Sequence, residues 1–280
     1  MALRLAFVLL LGLALPSSAL AENEDYEKLV EAELLRPGQA FRDCSDCPVM
    51  VVVPAGNFVM GSTDFVFSKP PHQVTIREPF AVGKYEVTFA EWEACVAGGG
   101  CTSNRWPDDR GRGRGRRPVI NVTWHDAKEY VAWLSRRTGK TYRLLSEAEW
   151  EYVAQAGATK QYGVGRALEV GSFPANQFGL HDLLGNVTEW VEDTWHPHYQ
   201  GAPDDGSTWL GGDTSLRGLR GGFWGSRTLH PAIRGRAPPD STNGATGFRL
   251  ATTLYPLTAA RRQISWPGTR FAGRQHQGAR

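Results

Sequence analysis

The chain has little cysteine, and what it has occurs as two close pairs, Cys44 with Cys47 and Cys95 with Cys101. A structural zinc site needs four ligands, and the sequence has no second Cys-x-x-Cys motif to complete one. A redox-active Cys-x-x-Cys usually opens a helix, whereas Pro48 and an apolar strand-like run follow Cys47. We therefore predict that both pairs form local structural disulfides, as an oxidising compartment permits.

The sequence also lacks an apolar run long enough to cross a membrane. Its opening apolar stretch, residues 5–15, falls short of the roughly 18 to 20 residues that a spanning helix needs. That stretch follows Arg4 and leads to small residues that end at Ala21, which is typical of a secretory signal peptide. We expect residues 1–21 to be this signal peptide, the mature chain to be periplasmic, and no integral membrane segment to remain after cleavage. An uncleaved amphipathic anchor is the alternative.

An excess of charge is absent too, since the formal net charge is +2. This balance gives no reason to expect nucleic acid as a partner, which a secreted protein would rarely meet. Glycine, proline and tryptophan, in contrast, are plentiful, at 32, 17 and 10 residues. Such a composition predicts many turns and loops, little regular secondary structure, and a core that contains large rings.

Apolar periodicity and capping residues place the main elements. We predict helices at 89–97 after Thr88, at 124–138 between Thr123 and Gly139, and from Ser146 to about 156. Strands are predicted at 49–53 and 57–62, paired as a hairpin, and at 73–76, 80–87 and 119–124.

The segment 108–117 alternates glycine with arginine and is predicted to be a mobile basic loop. A solvated connection is favoured for it, and a contact for an anionic partner is the alternative. The expected domain organisation is a lead-in at 22–48 that contains the Cys-x-x-Cys loop, one domain at 49–254, and a basic tail at 255–280. We expect most of that tail to be disordered.

Seven short motifs follow one another between Val49 and Thr253. They are Pro54-Ala55-Gly56 with Met60-Gly61-Ser62, Tyr85-Glu86-Val87-Thr88, residues 118–124, residues 143–152, Gly185-Asn186 with Glu189-Trp190, Arg220-Gly221-Gly222, and Gly247-Phe248-Arg249. In this order they resemble the formylglycine-generating enzyme, or sulfatase-modifying factor, family. The resemblance implies an α+β fold with little regular secondary structure, distantly similar to C-type lectins, and a broad surface groove.

The resemblance also shows what a typical active member would have and this chain does not. In members that oxidise a sulfatase cysteine, two cysteines after the Arg-Gly-Gly motif bind copper as thiolates. The corresponding positions here are Ser226 and Pro231, so we expect no copper and no copper-dependent formylglycine-generating activity. His230 is a candidate for a different metal or an acid–base role, and a packed or surface histidine is the alternative. Phe223 stands where active members usually carry serine, which makes the groove more apolar.

Further site residues are implied by the same resemblance. The expected groove residues are Trp124, Trp190, Phe223 and Trp224, and they could serve either binding or catalysis. Arg220 and Arg249 are expected to brace the fold.

A calcium ion is implied as well, because the turn from Gly185 to Glu189 resembles a calcium loop of the family. The predicted ligands of one structural calcium are the side chains of Asn186 and Glu189 with the backbone carbonyls of Gly185 and Val187. The alternative is that Asn186 only shapes the turn and that Glu189 caps or pairs.

Two functions fit these features. Relatives without the copper cysteines include one required for oxidative maturation of the siderophore pyoverdine in the periplasm, which suggests a modification or maturation factor for a peptide or peptide-derived metabolite. The alternative is a non-catalytic binding or scaffold protein that assists signalling or a secretion machine, with a periplasmic protein as its partner. An iron-dependent sulfoxide synthase is excluded because residues 22–49 contain no histidine. No Ser-His-Asp set or carboxylate pair stands out, so the sequence leaves catalysis open.

Overall fold

The computed structural model describes residues 35–102, 107–160 and 165–254. The expected signal peptide, residues 22–34 of the lead-in and the basic tail lie outside these described residues. One compact unit spans Arg36–Leu254. Within the part of the chain that the structure describes, no helix has the length and apolar character needed to cross a membrane.

The described residues form an α+β fold with many short strands and few helices. The helices are α1 (Phe89–Ala97), α2 (Trp124–Thr138) and α3 (Glu147–Gln155), and Val66–Ser68 forms a single 3-10 turn. The strands are β1 (Ala40–Phe41), β2 (Met50–Val53), β3 (Gly56–Met60), β4 (His72–Ile76), β5 (Phe80–Gly83), β6 (Tyr142–Leu144), β7 (Thr188–Trp195), β8 (Asp213–Arg220), β9 (Gly235–Ala237), β10 (Thr246–Phe248) and β11 (Leu250–Thr253).

Three sheets organise these strands. The largest is antiparallel, with the order β1-β2-β5-β11-β6. The second has the order β10-β7-β8-β9, in which only β10 and β7 run parallel. The third contains β3 and β4 alone.

The predicted hairpin between the first two apolar strands is wrong. Strand β2 pairs with β1 and β5, whereas β3 pairs with β4. The burial patterns explain the difference, because every residue of β2 is buried while β3 alternates between exposed and buried positions. A strand buried on both faces belongs inside a sheet, and an alternating strand can face water on one side.

The strand predicted at 119–124 does not form either. Its start makes only an isolated bridge between Pro118 and Thr88. Asn121 then adopts a left-handed backbone conformation with φ of 58°, which interrupts an extended run.

Each of the three helices in the described residues begins with a capping box, as local sequence predicts. Thr88, Thr123 and Ser146 each accept a hydrogen bond from the backbone N–H three residues on, and the acidic side chain at that position accepts one in return. Helix α2 ends at Gly139, whose φ of 69° suits glycine. The boundaries of α1 and α2 confirm the predictions, and α3 ends one residue earlier than expected.

Two apolar clusters fill the interior. One contains Trp92, Tyr130 and Phe248, whose rings lie 5.6 to 6.4 Å apart. The other surrounds Trp150. Both predicted disulfides are present, Cys44–Cys47 between β1 and β2, and Cys95–Cys101 at the end of α1.

The glycine- and arginine-rich segment is packed against the domain, which corrects the expectation of a mobile loop. Arg112 donates to the carbonyl of Gly244 at 2.9 Å, and Arg114 donates to Glu93 at 2.6 Å. Arg117 donates to the carbonyl of Ala167 at 2.8 Å. Arg112 and Arg114 also lie over the rings of Trp224, at 5.0 Å, and Phe89, at 4.4 Å, so these contacts hold the segment without an apolar core of its own.

Candidate functional site

The candidate site is built on two loops that are distant in sequence. The 221–234 loop follows β8 and carries Ser226, His230 and Pro231. The 61–69 loop joins β3 to β4 and carries Phe65, Val66 and Phe67. The rings of Phe65 and His230 lie 5.1 Å apart, which places the two loops side by side.

A buried charge cluster beneath them fixes their positions. Its members, which we call the Arg220–Arg234 cluster, are Arg220, Arg234, Glu147, Glu151 and Tyr199. Glu147 accepts hydrogen bonds from both guanidinium groups, at 3.0 Å from Arg220 and 2.6 Å from Arg234. Glu151 accepts from Arg220 at 2.7 Å. Each buried charge therefore has an opposite charge at hydrogen-bond distance, as burial requires.

The same cluster reaches the backbone of both loops. Arg220 donates to the carbonyl of Pro231, and Arg234 donates to the carbonyl of Phe67 at 2.6 Å. The hydroxyl of Ser68 donates to the carbonyl of Ala232, which adds a direct link between the loops. The relative position of the two loops is thus set by hydrogen bonds rather than by surface contact alone.

The electrostatics of the cluster keep Glu147 and Arg220 ionised. Burial by itself would raise the pKa of Glu147, but Arg234 and Arg220 outweigh that effect and lower it. Burial would likewise lower the pKa of Arg220, and the neighbouring Tyr199, Glu151 and Glu147 raise it instead.

A second acid nearby behaves in the opposite way. Asp193 accepts hydrogen bonds from the backbone N–H groups of Glu147 and Trp209, each at 2.8 Å. Burial, followed by the charge of Glu147, raises the pKa of Asp193 to about 8. Asp193 is therefore mostly protonated at neutral pH.

The two positions of the missing thiolates are occupied by groups that serve the loop itself. The hydroxyl of Ser226 accepts a hydrogen bond from the backbone N–H of Phe223 at 3.0 Å, and its own N–H donates to the carbonyl of Phe223 at 2.8 Å. Pro231 offers no side-chain donor atom, and its carbonyl is bound by Arg220. These residues do not fit a soft monovalent copper ion, which thiolates bind best.

His230 is held in one orientation. Its Nδ1 accepts a hydrogen bond from the backbone N–H of Ala232 at 3.1 Å, so the proton of the neutral ring lies on Nε2. Among the described residues, Nε2 has no hydrogen-bond partner. His230 can therefore offer an N–H donor to a bound ligand, whereas its basic nitrogen is already in use.

The four predicted groove residues separate into two pairs. Trp124 and Trp190 are only 8% and 2% exposed, and their indole N–H groups donate to the carbonyls of Val191 and Val122. They belong to the core, which corrects their assignment to the groove. Phe223 and Trp224 are half-buried and pack edge to face at 5.4 Å. Only this second pair can contact a ligand.

The predicted calcium ligands are already engaged with protein groups. Glu189 accepts from the indole N–H of Trp150 at 2.8 Å and from Arg249 at 2.9 Å. The side-chain oxygen of Asn186 accepts from the backbone N–H of Leu168 at 2.9 Å. Calcium needs about six to eight oxygen ligands and would here lie beside a buried guanidinium group.

As arranged, this donor set does not fit a calcium ion, so calcium remains only a prediction from the resemblance. The contacts match the alternative in which Asn186 shapes the turn and Glu189 pairs. Asn186 has a left-handed φ of 50°, and Glu189 pairs with Arg249. Asn186 also donates to Glu86 at 2.9 Å. Burial, followed by the charge of Asp182, raises the pKa of Glu86 well above its usual value.

Sequence reasoning missed the surface of the 61–69 loop. Val66 is 69% exposed and Phe67 is 38% exposed, and the two are adjacent in the chain. Arg234 and Arg236 were missed as well. The one available signal was the apolar triplet Phe65-Val66-Phe67 in a segment without strand or helix periodicity.

Comparison with known proteins identifies the family. A model of the sulfatase-modifying factor enzyme 1-like domain matches residues 37–254. The solved structure of PvdO from Pseudomonas aeruginosa is 40% identical, with a TM-score of 0.71, and the match covers 78% of this chain and 99% of that one.

Curated relatives agree with this. The serine/threonine-protein kinase pkn1 of Chlamydia pneumoniae is 31% identical over 73% of this chain, which spans only 38% of that kinase. The inactive C-alpha-formylglycine-generating enzyme 2 of Mus musculus is 28% identical over 74% of this chain and 86% of its own length. The chain belongs to the family of sulfatase-modifying factor enzyme 1-like proteins, with the fold of the formylglycine-generating enzymes.

Proposed function

We propose that the protein is a periplasmic modification or maturation factor for a peptide or peptide-derived metabolite, of the siderophore-maturation type, which acts without cysteine oxidation. Its ligand would lie along the 221–234 and 61–69 loops. Phe223, Trp224, Phe65 and Phe67 would provide apolar contacts there, and His230 an N–H donor.

The observation that carries this proposal is the chemistry at Ser226 and Pro231. The chain has four cysteines, and all of them are paired in the two disulfides. The site therefore has no thiolate to bind copper or to exchange with a substrate thiol. This supports a role other than formylglycine formation.

The test compares a strain that lacks the gene with strains that carry wild-type, His230→Ala or His125→Ala protein, by mass spectrometry of secreted peptide-like metabolites. We expect the deletion to accumulate a precursor of altered mass, wild type and His125→Ala to restore the product, and His230→Ala to restore it poorly. His125 is a suitable control because it is exposed and lies on α2. An unchanged metabolite profile in the deletion strain would contradict the proposal.

A non-catalytic scaffold is the second candidate, and one observation favours it. The titratable groups below the loops pair with one another, and the basic nitrogen of His230 already accepts a hydrogen bond from the backbone. A scaffold would leave the metabolites of the deletion strain unchanged while a protein complex fails to assemble. Affinity purification of the tagged protein from periplasmic extract measures that outcome directly.

A further inference from the structure

Arg236 is an exposed arginine beside the candidate site. It lies on β9, next to both loops of the candidate site. The carbon of its guanidinium group lies 4.7 Å from the ring centroid of Trp195 and 5.0 Å from that of Phe67, which are cation–π distances. Those two rings meet edge to face at 5.4 Å, so together they hold the guanidinium group in place.

A cation–π contact uses the charge of a guanidinium group and leaves N–H donors available for hydrogen bonds. The side-chain N–H groups of Arg236 form no hydrogen bond or ion pair within the described parts of the chain. Its neighbour Arg234 contrasts with it, because Arg234 is buried and fully paired with Glu147 and the carbonyl of Phe67. The network that supports the loops therefore does not use Arg236.

A guanidinium group that is held against two rings and has no hydrogen-bond partner is suited to bind a carboxylate. Its planar fork matches the two carboxylate oxygens, and its fixed orientation lowers the entropy that binding would cost. Phe67, which contacts Arg236, and its sequence neighbour Val66 both expose apolar surface. The site thus combines one oriented cation with an adjacent hydrophobic contact.

We infer that Arg236, Phe67 and Val66 form a subsite for a peptide or peptide-derived ligand that presents a carboxylate next to a hydrophobic side chain. Arg236 binds the carboxylate and the apolar pair contacts its neighbour. The inference rests on the proposed function for the ligand's general class. The carboxylate requirement comes from Arg236 alone.

The test measures binding of two defined peptides to the purified chain by calorimetry at low ionic strength. Both are acetylated and amidated heptapeptides, one Gly-Gly-Phe-Glu-Gly-Gly-Gly and the other identical except for Gln in place of Glu. We expect wild type to bind the Glu peptide about tenfold more tightly, since hydrogen bonds to charged groups are strong. We expect Arg236→Gln to abolish this preference and Phe67→Ala to weaken both peptides.

Arg136→Gln is the matched control, because it removes the same charge from an exposed position on α2 without changing the subsite. It should bind like wild type, and melting curves check that each variant is folded. Equal affinity of wild type for the two peptides, a preference that survives Arg236→Gln, or no binding of either peptide would each overturn the inference. These outcomes are separate from the metabolite test, since binding is measured without any reaction.

Discussion

At the scale of single residues, two buried arginines organise the site. Arg220 and Arg234 share Glu147, and each also reaches the backbone of one loop. Burying such charges costs several kcal/mol of desolvation per ion, which pairing largely offsets. Their contribution is therefore mainly to a specific geometry, because few other loop positions would satisfy all of these donors and acceptors.

Asp193 is expected to make the free energy of unfolding depend on pH. The pKa of its carboxyl is about 8 in the folded protein and about 3.9 in an unfolded chain. The folded state therefore holds a proton between these pH values that the unfolded state releases. The stability that this difference contributes is complete below the lower pKa and is lost progressively as pH rises from the lower pKa to the upper one.

We expect Asp193→Asn to remove this dependence. The free energy of unfolding of wild type, relative to that of the variant, should fall by about 1 kcal/mol per pH unit between about pH 5 and 7. Urea unfolding at several pH values measures both quantities, and groups common to both proteins cancel in the difference. Parallel curves for the two proteins would show that Asp193 is ionised in the folded state.

At the scale of elements, local signals decide where helices begin. Thr123 accepts from the N–H of Asp126 at 2.9 Å, and Asp126 accepts from the N–H of Thr123 at 2.7 Å. Thr123 is buried, so water cannot replace the lost acceptor. We expect Thr123→Ala to lower the free energy of unfolding by about 1 kcal/mol.

Thr123→Ser is the matched control for that substitution, since serine keeps the hydroxyl and caps at least as well as threonine. It should lie close to wild type in urea unfolding. Equal stability of the alanine and serine variants would mean that the cap contributes nothing measurable.

The helices could be predicted from the sequence because each depends on residues three or four positions apart. Strand pairing could not, because β2 finds its partner β5 beyond β3 and β4 in the chain. The apolar run 49–53 does not by itself indicate that β5, rather than β3, would pair with it. Its uninterrupted burial pattern became evident only in the sheet.

At the scale of the whole molecule, the candidate site exists only after folding brings distant segments together. Arg234 and Phe67 are 167 residues apart, and Ser68 and Ala232 are 164 apart. The family motifs predicted the 221–234 side, including Ser226, His230 and Pro231. They could not predict the 61–69 side, because the apolar triplet Phe65-Val66-Phe67 lies outside those motifs and its neighbours are set only by folding.

The pairing of the cysteines over the whole chain predicts how many thiols can be titrated. All four cysteines are in disulfides that close short loops, so chain unfolding should expose no thiol without a reductant and four after reduction. Thiol titration in denaturant measures this. The double variant Ser226→Cys with Pro231→Cys serves as the positive control.

For the same reason, the folded, oxidised wild-type protein should not retain one copper(I) ion per chain after desalting, because soft thiolate ligands are lacking at the site. Measuring copper and thiols on the same sample distinguishes copper bound by other ligands from a disulfide that is open. Retained copper with no free thiol would require other ligands, and hence a different chemistry at the 221–234 loop. Free thiols in the oxidised protein would instead show that one of the local disulfides is open.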